Sequence, residues 1–433
     1  MRNPNNGRHV AIALTDTDVG VSNQLIAAIE ESLRGTGINR ITVLDYGLEN
    51  LFADIDTSME RMKFIKNYDI GASEPRSVRR VSRVGINPED GEVTRLFMPS
   101  MDGQQRLDNA LANIDAHGIT DLVIIGGVDG LTKAEELRSA LCARGFNIRF
   151  YGVPLNMDGN IGYKKTDGTQ TTLIRAHSLG HPSACADIIN QTLEYDTFAY
   201  NTTRAVFLTT LGGGAGYVAA AGTAGGAMMM IIPEMGDMDS VNYNNFCKGV
   251  VYYLKTNKSL VVTVAEKSSM PIDGDTPTRE IPFETKPINV PLYYWIRNKK
   301  SGHGITEGNY MAHMLNEYFK RSAAEFSATD QDVGYDSRCA PASDFDKKLA
   351  RVMGEFLSMN LISASSSNLG GAVVVIPVGN SYSDLEKNVQ VVSLDHIVDV
   401  PFPIGNGGFL NDTGFSTTQD YRDMVARWCK IHP

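Results

Sequence analysis

Basic residues are the scarcer charge in this chain of 433 residues: 40 Lys and Arg stand against 50 Asp and Glu, for a formal charge of −10. A nucleic-acid partner needs a basic face against its phosphates, so that class is set aside. Long apolar runs are missing too. The longest, 218–233, is full of Gly and Ala and too short to cross a bilayer comfortably. The opening MRNPNNGRHV has no apolar signal core. Cys142, Cys185, Cys247, Cys339 and Cys429 are odd in number, far apart and form no CxxC. Neither a disulfide framework nor a zinc ribbon is implied, and a reducing compartment is the natural setting. The expectation is a soluble, cytoplasmic protein with no membrane or nucleic-acid partner.

Several signatures of chemistry are absent as well. No GK[ST] follows a Gly-rich turn, no GxGxxG opens at the first strand, and no G-x-S-x-G elbow exists. His177 and His181 are four apart, but Gly180 and Pro182 break the helix that would align them, and no third ligand is evident. No metal site is expected from the residues themselves.

What is present is a large apolar fraction, 42%, and 41 glycines. Buried strands are expected at His9–Leu14, Ile41–Leu44, Asp121–Ile125 and Asn147–Val153. Helices are expected to Leu33, over Arg106–Ala116 and over Thr132–Ala143. A second set follows: a helix over Ala184–Leu193, strands at Ala205–Thr210, Met228–Ile232 and Ser259–Val264, and helices over Tyr217–Ala224 and Asn242–Lys255. Later come helices near Glu307–Glu325 and Asp344–Met359 and a strand at Val373–Ile376. This alternation argues α/β architecture with mostly parallel sheets. Residues 271–304 read as an irregular arm. Gly-rich turns follow strands at 126–130 (GGVDG), 157–160 (MDGN) and 211–216 (LGGGAG). Such turns let backbone N–H groups approach a phosphate, although tight strand-to-helix turns need no ligand at all.

Taken in order, the strings resemble the phosphofructokinase family, and its pyrophosphate-dependent branch most. They are YGLENL at 46–51, DLVIIGGVDG at 121–130, GVPLNMDGNIGY at 152–163, TRAVFLTTLGGGAGYVAAAGTAGG at 203–226, IIPE at 231–234, VVTVAE at 261–266 and VGYDSRCAPASDFDKKLARVMG at 333–354. The resemblance implies two three-layer α/β/α domains: a donor-side one from 1–165 and 330–375, and an acceptor-side one from 166–329 carrying the arm near 271–304. Residues 376–433 would pack across both.

The resemblance also implies phosphoryl transfer to fructose 6-phosphate, with pyrophosphate rather than ATP as donor and Mg2+ as cofactor. Asp158 stands at the place of the catalytic base. Arg204, Tyr335 and Arg338 match the clamp on the sugar phosphate, and Glu234 the carboxylate on its hydroxyls. Gly126, Gly127 and Asp129 match the donor-phosphate turn. A dimer or tetramer is implied, with the Arg204-type residue supplied by a neighbouring subunit.

The departures fall mostly on the donor side. Asp16 and Thr17 replace glycines of the first loop, and VTRLFMPS at 93–100 stands for a second, G-T-x-x-G-[ST]-[ST]-R loop without its glycines and final Arg. Val128 replaces a magnesium carboxylate, Leu155 a lysine, Asn156 a threonine and Asn160 an aspartate. Gly213 and Thr329 replace arginines. These changes imply an eroded donor and magnesium site. The sequence leaves two readings open: a phosphotransferase, and a non-catalytic regulatory, sugar-phosphate-sensing or structural subunit beside itself or an active paralogue.

Overall fold

The computed structural model describes residues 7–15, 20–38, 40–44, 47–52, 62–64, 85–86, 93–94, 104–212, 215–235, 240–266, 268, 278–281, 288–291, 306–363, 371–379, 382–402 and 416–429. Asp16, Thr17, Gly213 and most of the 93–100 loop lie outside them. The chain divides into two compact units, 1–183 with 338–400, and 184–337 with 401–433. The first division falls later than the expected 165/166. The reason is that residues 161–180 form strands that pair with the first unit. The C-terminal segment is itself divided, at 400/401.

In chain order the strands are β1 (His9–Leu14), β2 (Arg40–Leu44), β3 (Met62–Phe64), β4 (Gly85–Ile86), β5 (Val93–Thr94), β6 (Asp121–Gly126), β7 (Arg149–Asn156), β8 (Ile161–Asp167), β9 (Gln170–Arg175) and β10 (Leu179–Gly180). They continue with β11 (Arg204–Thr210), β12 (Met229–Ile231), β13 (Leu260–Ala265), β14 (Thr278–Ile281), β15 (Ile288–Pro291), β16 (Ser327–Asp332), β17 (Ala372–Val375), β18 (Gln390–Ser393) and β19 (Ile397–Asp399).

In the first unit the main sheet runs β18-β17-β7-β6-β1-β2-β3, with β10 also on β7. Its centre is parallel, because HVAIAL and DLVIIG are apolar on both faces and every residue of both is buried. The helix Ser22–Leu33 packs against the helix Asp344–Ser363. Their close approach depends on Gly354: a Cβ there would lie 2.8 Å from the Ala28 Cβ. At the amino edge of the sheet, buried Asp121 is paired by Arg8 at 2.7 Å and Arg149 at 2.8 Å. His9 beside it is bonded to the His117 carbonyl and to the Thr42 hydroxyl, both at 2.9 Å.

A second, smaller sheet, β19-β8-β9, stands on the exit of β7. The distal half of its β8–β9 hairpin is exposed on both faces.

In the second unit a parallel sheet runs β12-β13-β11-β16. Its core includes Phe207, Val262, Phe246, Met311 and Leu315. Within 271–304, expected to be irregular, β14 and β15 pair antiparallel. No helix among the described residues is long and apolar enough to cross a membrane.

Candidate functional site

The carboxyl ends of β1, β6 and β7 lie side by side, with Leu14 opposite Ile125 and Gly126 opposite Pro154. In open parallel sheets this rim is where ligands sit. Gly126 ends β6, and extended Gly127 opens the helix Val128–Ala143. Thr15 packs over that helix's first turn, its hydroxyl filling the space a Cβ on Gly130 would need. Asp129 is exposed in the same turn. Val128 instead packs against the core, so the substitution there offers no ligand atom toward the rim. Leu155 is fully buried.

The turn after β7 carries Asp158, which is half-buried. Its neighbours are tied down in detail. The Gly159 N–H donates to Asn156 Oδ1 at 3.1 Å. Asn156 Nδ2 donates to Asn160 Oδ1 at 2.6 Å, and Asn160 Nδ2 donates to Asp399 Oδ1 at 2.9 Å. The Val400 N–H closes the circuit on the Asn160 carbonyl at 2.6 Å. Asn156 and Asn160, read from sequence as losses, therefore form an amide chain that fixes this turn to β19. Partial desolvation, then the Asp129 charge, raises the Asp399 carboxyl above the usual range. The 126–130 turn, the Asp158 turn and β19 thus share one neighbourhood.

Behind the turn, His181 and Arg175 bond to its carbonyls. His181 opens the helix His181–Thr202, whose start is anchored by buried Asp346. That carboxylate accepts from the Gly180 N–H at 3.0 Å and from the Ser183 hydroxyl at 2.5 Å. Burial pushes the Asp346 carboxyl up to about 6. Burial, then the Arg175 charge, holds His177 down at about 3, and the same causes hold His181 well below the usual histidine range.

In the second unit, Glu234 is a main-chain clamp. Both of its oxygens accept from the Gly216 N–H, at 3.0 and 3.1 Å, and one also from the Phe402 N–H at 2.7 Å. Phe402 is held edge-on between Tyr217 and Tyr421. Arg204 is the first residue of β11, its guanidinium stacked on Phe198 at 5.2 Å with Nε buried and unbonded. Glu234 sits beyond the other end of that strand. At ~3.3 Å per residue, roughly 20 Å separates the two ends, more than one sugar phosphate spans. Thr329 lies opposite Val206 on β16. Tyr335 and half-buried Arg338 lie on the helix Gly334–Cys339, the Tyr335 side chain being outside the described residues. Glu266, which sequence reading passed over, follows β13 with its N–H on the Thr210 carbonyl, at the same rim as the 211–216 turn. The string VVTVAE already placed it at a strand end.

Among the described residues, no group of three or more His, Cys, Asp or Glu side chains could hold a metal ion. Partly buried Val128 packs against the core and offers no oxygen, so the described residues at this rim do not by themselves build a magnesium cage.

The Phosphofructokinase family profile matches residues 9–359. Two ATP-dependent 6-phosphofructokinases from Thermoanaerobacter, strain X514 and T. pseudethanolicus, are each 31% identical over 150 residues, 34% of this chain. The matched stretch spans only 40% of the length of those relatives. Among solved structures, the pyrophosphate-dependent phosphofructokinase from Nitrosospira multiformis superposes with a TM-score of 0.65 at 17% identity, over 98% of this chain and 91% of that one. That from Marinobacter aquaeolei gives 0.61 at 16% identity, with the same coverage. The Saccharomyces cerevisiae phosphofructokinase gives 0.59 at 17% identity, over 90% of this chain and 44% of that one. At these identities the superpositions speak for the fold alone, while the profile covers most of the chain. The chain belongs to the phosphofructokinase family and has its α/β fold.

Proposed function

We propose that the chain transfers a phosphoryl group from pyrophosphate to a hydroxyl of fructose 6-phosphate or a close sugar phosphate. The observation that carries this reading is the Asp158 turn. Phosphoryl transfer is catalysed mainly by positioning and charge stabilisation, and here the main chain on both sides of the carboxylate is bonded in place. Asp158 takes the hydroxyl proton as the sugar oxygen bonds to phosphorus. The bond from phosphorus to the bridging oxygen breaks, and phosphate leaves with the electron pair. Gly126, Gly127 and the helix amides behind them suit the donor's anionic oxygens. Arg338 and Tyr335 suit the sugar's phosphate. Arg204, at the far end of β11 from the 211–216 turn, then serves the site of a second copy in an oligomer.

The test is phosphorus NMR of purified protein with fructose 6-phosphate, Mg2+ and either pyrophosphate or ATP. The expected result is a new sugar-phosphate ester and orthophosphate with pyrophosphate, and neither in the Asp158→Ala protein. No product above that control with both donors sinks the proposal.

Two observations favour a second reading. Val128 packs against the core and the Glu234 oxygens are taken by main-chain N–H groups, as in a subunit that binds without turnover. Calorimetric binding of fructose 6-phosphate, abolished by Arg338→Ala, with no NMR product would establish that alternative.

A further inference from the structure

Arg175 is the last residue of β9, and its guanidinium makes two bonds at once. Nε donates to the Gly159 carbonyl at 2.6 Å, and Nη2 donates to His181 Nε2 at 2.8 Å. His181 Nδ1 lies 2.8 Å from the Met157 carbonyl. The two carbonyls so held flank Asp158 directly. A guanidinium can only donate, so His181 Nε2 is the acceptor, Nδ1 carries the proton, and the imidazole is neutral. The ring also lies against Gly159, where a Cβ would come within 2.5 Å of it. Gly159 has φ +68°, a left-handed conformation, so the turn's shape and the ring's place are set together. Neither Arg175 nor His181 lies in the strings that carried the resemblance, which stop at 163 and resume at 203.

We infer that Arg175, acting directly and through His181, is a positioning residue that sets the Asp158 carboxylate for proton abstraction; this rests on the phosphotransferase reading above. The pair is a brace between the hairpin arm and the reacting end of β7. Lysine could replace the charge but not the planar fork that serves Gly159 and His181 together. A merely structural arginine would, when replaced, lower stability and leave turnover of the folded protein alone. A brace instead governs kcat, because a displacement of about 1 Å at a reacting group costs on the order of 10²-fold in rate.

The experiment compares the full chain with Arg175→Met and Arg175→Lys by two readouts, with folding checked by circular dichroism. The first is hydrogen exchange at the Gly159 amide, which needs no activity. The second is kcat and KM for fructose 6-phosphate with pyrophosphate. The expected results are a loss of Gly159 protection of about tenfold or more and a kcat lower by about 10–100-fold, with KM within about threefold, in both variants. If Arg175→Met does not fold, Arg175→Lys alone carries the comparison. Unchanged Gly159 protection overturns the inference whether or not the chain turns over. Lost protection with undiminished kcat overturns it too. Lost protection in a chain whose parent shows no turnover upholds the brace and fails only the phosphotransferase reading.

Discussion

Gly159 shows how one residue joins the fold to the chemistry. Its positive φ and the His181 ring at its back leave no place for a side chain. Gly159→Ala adds left-handed strain of about 1 kcal/mol and a clash with a buried ring. Urea titration is expected to show a loss of about 2 kcal/mol or more. The neighbouring asparagines teach a related lesson. By resemblance alone Asn156 and Asn160 were departures from a catalytic string. In the fold they hold the turn, because two amides can donate and accept in series and so reach Asp399. Sequence cannot show this, since Asp399 is 239 positions from Asn160. Glu234 is the converse case: its expected role toward sugar hydroxyls competes with three main-chain bonds already made.

At the level of elements, the buried parallel strands were legible because their signal is local. HVAIAL was expected and is found at His9–Leu14, and DLVII is found one residue longer, ending at Gly126. The β8–β9 hairpin was not legible. Lys164 to Asp167 and Gln170 to Leu173 are all exposed, so no alternation marks them. The available signal was Gly168, with φ +61°, opening a two-residue turn. The helix His181–Thr202 begins three residues before the expected Ala184, because Pro182 in a first turn needs no N–H partner and does not break a helix. Gly354 is the sharpest test at this scale. Gly354→Ala would press a methyl onto Ala28 and the Leu25 carbonyl across two packed helices. A loss of about 1–3 kcal/mol is expected by urea titration, despite the better helix propensity of alanine. A gain in stability would mean that the helices are free to separate.

The whole molecule carries opposing pH dependences. Native His9, held at about 4 by burial, His177 at about 3, and His181 all bind fewer protons than in the unfolded chain below about 6.5. Their contribution is complete above about pH 6.5 and is lost as pH falls toward the native values. Asp346 runs the other way. Its native value of about 6 exceeds the unfolded ~3.9, so its protonated form favours the fold as pH falls from about 6 to 4. Three histidines outweigh one carboxyl, so stability is expected to be lower at pH 5 than at pH 7.5, by a few kcal/mol. Asp346→Asn should steepen that acid loss between pH 6 and 4; an unchanged slope would show that the carboxyl does not titrate there. Assembly gives a further expectation. If Arg204 serves a neighbour's site, mixing inactive Asp158→Ala and Arg204→Ala chains should restore part of the turnover, and failure of mixed oligomers to do so would place Arg204 outside the site.

Proton removal by Asp158, on its braced turn, is the step of phosphoryl transfer on which the proposed function rests. Its most direct measurement is the single-turnover rate of transfer from pyrophosphate to fructose 6-phosphate, comparing the unmodified chain with Asp158→Asn. The expected rate for Asp158→Asn is lower by about 10²–10⁴-fold, with sugar-phosphate affinity little changed. Equal rates in the two proteins, or none in either, would contradict it.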